Sequence, residues 1–119
     1  MAVTATAFKN ALTGTPVITI TVTDRRSGRQ ISHPVNFVQE GDALYLLPLR
    51  GSDTEWYKNV LKTPTVRLAA NGAEYTARAV PITDIDRVRE IVGKFRAKYG
   101  DAEMTYYSTF DVAVEIPLT

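Results

Sequence analysis

Hydrophobic and polar positions alternate along most of the chain, a period that predicts strands with one buried face. The clearest case is residues 17–23, where β-branched apolar side chains alternate with threonine hydroxyls. Residues 43–49 are apolar on both faces, which predicts a central strand or a barrel wall. The six predicted strands are residues 17–23, 31–38, 43–49, 65–70, 74–80 and 111–117.

Turn signals separate these strands. Asn71-Gly72 stands between two alternating segments, and this dipeptide is the strongest short hairpin signal. Residues 24–30 are polar and contain Ser27-Gly28, so they predict a second turn. Pro34 lies inside the second predicted strand and cannot donate to a ladder, which predicts a sheet edge or a bulge there.

Two segments have helical spacing instead. A short helix at about residues 55–61 follows the third strand, with Asp53 or Thr54 as its cap. A longer helix begins near Thr83, carries one apolar stripe and stops at Gly100. The order of elements predicts a mainly β (α+β) fold, a six-stranded and mostly antiparallel barrel with the longer helix before the last strand.

The length of 119 residues predicts one domain. Residues 1–15 have one charge and no compact apolar run, and we interpret them as a loosely held N-terminal arm or a short first element. Residues 16–119 are then the single barrel domain. Since no apolar stretch approaches the roughly 20 residues of a membrane helix and the N-terminus is a poor secretory signal, we expect no membrane span and a cytoplasmic location.

Composition excludes several kinds of chemistry. The net charge is +1, which favours neither nucleic acid nor an anionic membrane as partner. The absence of cysteine excludes disulfides, thiolate metal sites and cysteine nucleophiles. With His33 as the only histidine, we expect no metal site.

Two turns have the residues of an anion site. In the first, cations surround a hydroxyl and exposed backbone amides, and such a turn can hold a phosphate. The same residues are also typical of an ordinary solvated hairpin loop. The second, Arg50-Gly51-Ser52, joins a strand to a helix, where free amides attract anions, although many structural turns look the same. The first turn consists of Arg25, Arg26, Ser27, Gly28 and Arg29.

Several other side chains have a structural and a functional interpretation. Trp56 on the short helix most simply packs into the core. His33 lies on an apolar strand face, where a structural histidine is commoner than a general base. Tyr106 and Tyr107 are packing groups with a polar tip, or they line a substrate mouth and donate a proton.

Taken together, the motifs resemble the flavin- and deazaflavin-dependent split β-barrel oxidoreductases. The branch that they resemble is the deazaflavin-dependent nitroreductase type, and more distantly the pyridoxamine 5′-phosphate oxidase-like fold. The resemblance extends from about residue 21 to residue 117. Its motifs are Thr23, the basic turn 25–29, Pro34, Gly41-Asp42, Tyr45, Arg50-Gly51, residues 56–59, residues 64–66, Ala77-Arg78 and residues 112–117.

The resemblance implies roles for these residues. The basic turn 25–29 would contact the phosphate-bearing tail of the cofactor, and a second group would complete that grip: Arg50, Gly51, Lys58 and Asn59. The flat ring would lie against Pro34, Val35, Asn36, Pro48 and Leu49. Tyr106 or Tyr107 would bound the substrate pocket and supply a proton.

The implied activity is hydride transfer from a reduced deazaflavin coenzyme (F-420) or FMN to a small electron-poor acceptor. The candidate acceptors are a quinone, an enone, a nitroaromatic compound and a tetrapyrrole. The fold also implies a homodimer, because its members usually build the site across a dimer interface. The alternative is a non-catalytic split barrel that sequesters a cofactor or apolar ligand, or that acts as an interaction domain.

Overall fold

The computed structural model describes residues 3–119 and contains eight strands and four α-helices. It confirms the mainly antiparallel α+β architecture. Two four-stranded sheets form, with the strand orders β2-β1-β5-β6 and β3-β4-β8-β7. The elements are α1 Ala5–Ala11, β1 Val17–Thr23, β2 Gln30–Asn36, β3 Val38–Glu40, β4 Ala43–Leu46, α2 Glu55–Lys62, β5 Thr65–Ala70, β6 Ala73–Arg78, β7 Val80–Ile82, α3 Ile85–Tyr99, α4 Asp101–Met104 and β8 Ala113–Pro117.

The strand count exceeds the predicted six because two of the predicted strands pass from one sheet to the other. β2 pairs with β1 in the first sheet, whereas β3, one residue later, pairs with β4 in the second. In the same way β6 pairs with β5 and β7 pairs with β8, with Ala79 between them. These two crossings join the sheets into a split barrel.

Tyr99 and Lys98 hold the crossing at Phe37 from outside. The Tyr99 hydroxyl accepts from the Phe37 amide at 3.0 Å, and it lies 2.9 Å from the Phe37 carbonyl and 2.7 Å from the Pro16 carbonyl. Lys98 Nζ donates to the same Phe37 carbonyl at 2.7 Å. Burial lowers the pKa of Lys98 and raises that of Tyr99. The backbone groups of Phe37, which lies between the two strands, are therefore satisfied by side chains.

Local signals explain most of the other boundaries. Asn71 and Gly72 both have positive φ, as a tight hairpin between β5 and β6 requires. Pro34 lies in β2, which is an edge strand of its sheet. Asp84 caps α3 by accepting from the Asp86 amide, and Gly100 ends that helix with φ +88°.

The hydrophobic core has two parts. One fills the barrel between the sheets and includes Trp56, which was predicted to pack into the core, and Val60, also of α2. The other lies under α3, where Ile91 and Phe95 cover the second sheet. No helix within residues 3–119 is long and apolar enough to cross a bilayer.

The N-terminal segment contains α1, which is a short first element. Phe8 of α1 is fully buried and stacks on Tyr75, with 5.6 Å between ring centroids. Asn71 Nδ2 donates to the Ala11 carbonyl at 2.6 Å, and Lys9 forms an ion pair with Asp42. Residues 1–2 of the predicted arm lie outside the described residues, and the division of the chain at residue 16 stays a prediction.

Candidate functional site

A cavity of about 670 Å³ opens at one end of the barrel. Its volume is within the range of roughly 300–1,000 Å³ that small-molecule sites have. Four parts of the chain supply its walls: the start of β1, β2, the connection from β4 into α2, and the segment around α4. The lining residues are Val17, His33, Pro34, Val35, Asn36, Leu47, Leu49, Arg50, Thr54, Glu55, Trp56, Glu103, Tyr106 and Tyr107.

The walls of this cavity are mainly apolar. Trp56 and Leu47 are buried, so they form its fixed inner surface. Leu49 is 50% exposed and Tyr106 is 72% exposed, and both line the cavity. Because exposed large apolar groups are unfavourable unless something covers them, this rim is a surface suited to a flat apolar molecule.

A polar cluster interrupts the apolar lining. Asn36 Nδ2 donates to Glu103 Oε1 at 3.1 Å and to the Tyr107 hydroxyl at 3.4 Å. Burial raises the pKa of Tyr107, and the nearby Glu103 charge raises it further against the lowering effect of the Asn36 bond. The Tyr107 hydroxyl accepts in that bond, so its own proton is available to another acceptor.

A second, polar cleft of about 370 Å³ shares Arg50 and Glu55 with the cavity. The two spaces therefore border the same side chains, one space apolar and the other charged. The polar cleft is lined by Arg50, Asp53, Glu55, Lys58, Ser108 and Thr109.

The β4–α2 turn, residues 50–54, presents Arg50 to both spaces, and tertiary contacts hold it. Asp111 accepts from the Ser52 amide at 2.9 Å and from the Ser52 hydroxyl at 2.5 Å, and these bonds lower the pKa of its carboxyl. Gly51 has φ +54°, and a Cβ added there would lie 2.0 Å from Asp111 Oδ1. The Thr54 hydroxyl accepts from the Arg50 amide at 2.8 Å instead of capping α2. The position of Arg50 therefore depends on glycine at residue 51.

Arg25 is fixed against α2. Its amide and its Nη1 donate to Asn59 Oδ1 at 3.1 and 2.8 Å, and Lys62 Nζ donates to its carbonyl at 3.1 Å. Its Nη2 donates to Glu55 Oε1 at 3.1 Å. The bond from Arg25, and then its charge, lower the pKa of Glu55. Asn59 is 2% exposed, so its role in this structure is to anchor Arg25.

In the β1–β2 turn, residues 24–29, the amides of residues 26–29 are satisfied within the turn. The Asp24 carboxylate accepts from the Arg26 amide at 3.3 Å and from the Ser27 amide at 2.7 Å, and the Ser27 bonds lower the pKa of its carboxyl. The Arg29 amide donates to the Ser27 hydroxyl at 3.2 Å. A carboxylate of the chain thus already accepts from two of the amides that a phosphate would use.

The predicted site residues divide into three groups. Those that line the cavity are Pro34, Val35, Asn36, Leu49, Arg50, Tyr106 and Tyr107. Five others lie beside the cavity. Gly51 and Pro48 belong to the β4–α2 connection that carries Arg50, and Lys58 lines the polar cleft. Arg25 and Asn59 are bonded to each other, and Arg25 is bonded to Glu55, which lines the cavity. Those exposed on the β1–β2 turn are Arg26, Ser27, Gly28 and Arg29.

Sequence reasoning missed several lining residues. In the sequence, Glu103 is a scattered acid without a partner of evident geometry; in the structure it lies in α4, four residues before Tyr107. A helical interpretation of residues 101–107 would have placed both on one face. Glu55 was visible only as an early residue of the short helix. His33 shares the strand face of Val35, and that alternation is the signal that places both at the cavity.

Comparison with known proteins gives a family match over nearly the whole chain. Residues 2–117 match the model of the family described as F420H(2)-dependent quinone reductase. No curated protein matches the sequence.

Solved structures share the fold. An F420-H2 dependent reductase (FDR-A) is 21% identical, with a TM-score of 0.66, 85% of this chain covered and 93% of that one. A structure described as a domain-swapped dimer has the same identity and TM-score, with 85% and 79% covered. HutZ, a heme storage protein from Vibrio cholerae, is 13% identical, with a TM-score of 0.70 and 94% and 87% covered. At these identities the likeness concerns the fold alone.

Proposed function

The chain belongs to the F420H(2)-dependent quinone reductase family, and from that premise we propose that it binds the deazaflavin coenzyme and reduces a quinone. Family membership makes it an oxidoreductase of a deazaflavin-dependent group, and it favours that activity over the non-catalytic barrel. The coenzyme that this chain uses and the acceptor that it reduces are the parts proposed here.

One observation supports the proposal most directly: the apolar cavity and the polar cleft share Arg50 and Glu55. A deazaflavin coenzyme has a flat tricycle joined to an anionic tail, so it needs an apolar space continuous with a cationic one. The cavity is large enough for the ring. Arg50 and Lys58 would hold the phosphate of the tail in the polar cleft by charge-assisted bonds.

The chain's own residues would orient the reactants and exclude water. When bound, the reduced coenzyme supplies the hydride. Pro34, Val35 and Trp56 would form apolar walls against its ring, and Leu49 with Tyr106 would cover the acceptor at the rim. Excluding water from such a site strengthens the electrostatic interactions inside it.

Tyr107 is the residue that we propose for the proton. A quinone that accepts a hydride becomes a hydroquinone anion, and one proton on its oxygen completes the reduction. The raised pKa of Tyr107 keeps its hydroxyl protonated at neutral pH, so it would donate a hydrogen bond to the negative oxygen. Tyr106, being largely exposed, would bound the pocket only.

A second copy of the chain is part of this proposal. Val17, Leu49 and Tyr106 are exposed and line the cavity, so its rim is incomplete within one chain. The similar structure described as a domain-swapped dimer is consistent with a homodimer. Sedimentation velocity would measure the association, and a monomer at working concentration would remove this part. A cytoplasmic location belongs to the same proposal.

The test is titration of the purified protein with the oxidised deazaflavin coenzyme and, separately, with FMN, measured by fluorescence quenching of Trp56, the only tryptophan. Because Trp56 lines the cavity, a bound tricycle should quench it. We expect micromolar binding of the deazaflavin and at least tenfold weaker binding of FMN. Equal or tighter binding of FMN would contradict the assignment of coenzyme. Binding of neither would remove the redox proposal.

A further inference from the structure

The polar cleft is not a simple cationic pocket. Its lining has two cations, Arg50 and Lys58, and two acids, Asp53 and Glu55. The charges of the lining residues therefore cancel in the free protein. An anion that enters must compete with carboxylates that are already present.

Glu55 pairs with one cation of the cleft lining, Lys58, and with Arg25, which lies outside that lining. Its Oε1 accepts from Arg25 Nη2 at 3.1 Å, and its Oε2 lies 3.5 Å from Lys58 Nζ. The two carboxylate oxygens thus bridge two cations, as two phosphate oxygens would. Within residues 3–119, these two cations form ion pairs with no acid other than Glu55.

The two sides of this bridge differ in how firmly they are held. The Arg25 side chain is 19% exposed, and Asn59 fixes its other nitrogen. The Glu55 side chain is 51% exposed and lies at the first position of α2. An exposed ion pair is worth little, so Glu55 can leave at low cost while Arg25 stays in place.

We propose that Glu55 is a built-in counterion that the anionic tail of the coenzyme displaces, and that it thereby selects for ligands with a multivalent anion. This inference rests on the proposed function. The phosphate that Arg50 and Lys58 would hold can take the place of the Glu55 carboxylate as the partner of Lys58 and Arg25. A neutral ligand gains nothing there, because displacing Glu55 would leave both cations unpaired.

The consequence is that neutralising Glu55 should tighten binding of phosphate-bearing ligands. Glu55→Gln keeps the size and the hydrogen-bonding capacity of the side chain and removes its charge. Because the ion pairs of Glu55 are exposed to solvent, we expect their loss to lower the Kd by no more than about fivefold. Binding of a deazaflavin riboside that lacks the phosphate should not change.

The experiment compares the wild type with Glu55→Gln and with Asp53→Asn as the matched control. Asp53 lines the same cleft, and its substitution removes the same charge. Three probes are titrated: the full coenzyme and the phosphate-free riboside by Trp56 quenching, and inorganic pyrophosphate by calorimetry. We expect Glu55→Gln to bind the coenzyme and pyrophosphate about fivefold more tightly, with less than twofold change for Asp53→Asn.

The outcomes separate this inference from the proposed function. If the coenzyme binds the wild type and Glu55→Gln tightens neither the coenzyme nor pyrophosphate, the counterion role is overturned and the coenzyme assignment stands. An equal increase of affinity in Glu55→Gln and Asp53→Asn also overturns it, because the loss of any negative charge from the cleft would then explain the tighter binding. If only pyrophosphate binds, and more tightly to Glu55→Gln, the counterion role stands and the coenzyme assignment fails. Binding of neither probe to any of the three proteins overturns both.

Discussion

The β1–β2 turn and the β4–α2 turn look alike in sequence and differ in how they are built. Each has arginine, serine and a glycine with positive φ, Gly28 at +76° and Gly51 at +54°. Each has a carboxylate that accepts from backbone amides. In the first turn that carboxylate is Asp24, two residues from its nearest partner, whereas in the second it is Asp111, 59 residues from Ser52.

This difference shows what composition alone omits. In the first turn the amides of residues 26–29 are satisfied locally, and the bonds to a distant segment are those that join Arg25 to α2. The second turn is fixed by a distant segment, and that segment aligns Arg50 with the cavity. A basic turn is thus a candidate anion site in both cases, but only the tertiary contacts of the second bring its cation to a space that a ligand can fill.

The largest expected effect comes from testing the two glycines. Gly51→Ala would place a Cβ 2.0 Å from Asp111 Oδ1 at a positive φ, whereas Gly28→Ala meets no atom within 4 Å. We expect Gly51→Ala to lower the free energy of unfolding by about 3 kcal/mol and Gly28→Ala by about 1 kcal/mol. Urea unfolding measures both. Equal losses would mean that the β4–α2 turn relaxes away from Asp111 and that the contrast is not real.

A smaller effect is expected when the arginines are compared. Arg50→Ala removes the cation shared by the cavity and the cleft, and we expect about tenfold weaker coenzyme binding with an unchanged Tm. Arg26→Ala, on the locally satisfied turn, should change Kd less than twofold.

The family resemblance implies the opposite for Arg26, namely that it contacts the phosphate-bearing tail of the cofactor. Equal losses of affinity for the two variants would therefore support a grip made by both turns. A loss of affinity for Arg26→Ala alone would place the anion site at the β1–β2 turn. The fact that the cavity and the polar cleft share Arg50 would then no longer support the proposed function.

The smallest expected effect is a pH dependence of stability. The hydrogen bonds from Ser52 hold the pKa of Asp111 below its usual 3.8. A lowered folded-state pKa stabilises the protein above the unfolded value, and that stability is lost as pH falls through the folded pKa. Asp111→Asn should therefore cost about 1 kcal/mol at pH 7 and almost nothing once the wild-type carboxyl is protonated.

Urea unfolding of wild type and Asp111→Asn across the acid range checks this prediction. Asp24→Asn is the matched variant in the first turn, where the carboxyl pKa is also lowered. We expect a smaller loss there, because no distant segment depends on it. A cost for Asp111→Asn that does not change between neutral and acid pH would show that the charge of Asp111 is not what holds Ser52.

The parts of the fold that were predictable depend on local chemistry. Asn71-Gly72, the edge strand containing Pro34 and the end of α3 at Gly100 follow from φ preferences and missing donors. The two strand crossings were not predictable. A single residue, Phe37 or Ala79, separates the two pairings at each crossing, and the pairing partner changes there. Which strand a segment pairs with depends on residues far away in the sequence, and the local alternation of apolar and polar residues does not reveal it.

The candidate site divides in the same way. Pro34, Val35 and Asn36, which the family resemblance implies at the ring, do line the cavity. Glu103 could not be placed there from the sequence, because its relation to Asn36 spans 67 residues. Glu55 was likewise invisible as the partner of Arg25, 30 residues before it. Two of the charged contacts of the site, Glu103 with Asn36 and Glu55 with Arg25, thus join residues that are far apart in the sequence.

The position of β8 has a consequence for synthesis of the protein. β8 lies inside the second sheet, paired on one side with β4 and on the other with β7. On the ribosome, residues 43–46 therefore wait without that partner until residues 113–117 leave the exit tunnel. The first sheet needs nothing beyond Arg78 and can form earlier. The cavity, whose lining runs from Val17 to Tyr107, is thus completed late in translation.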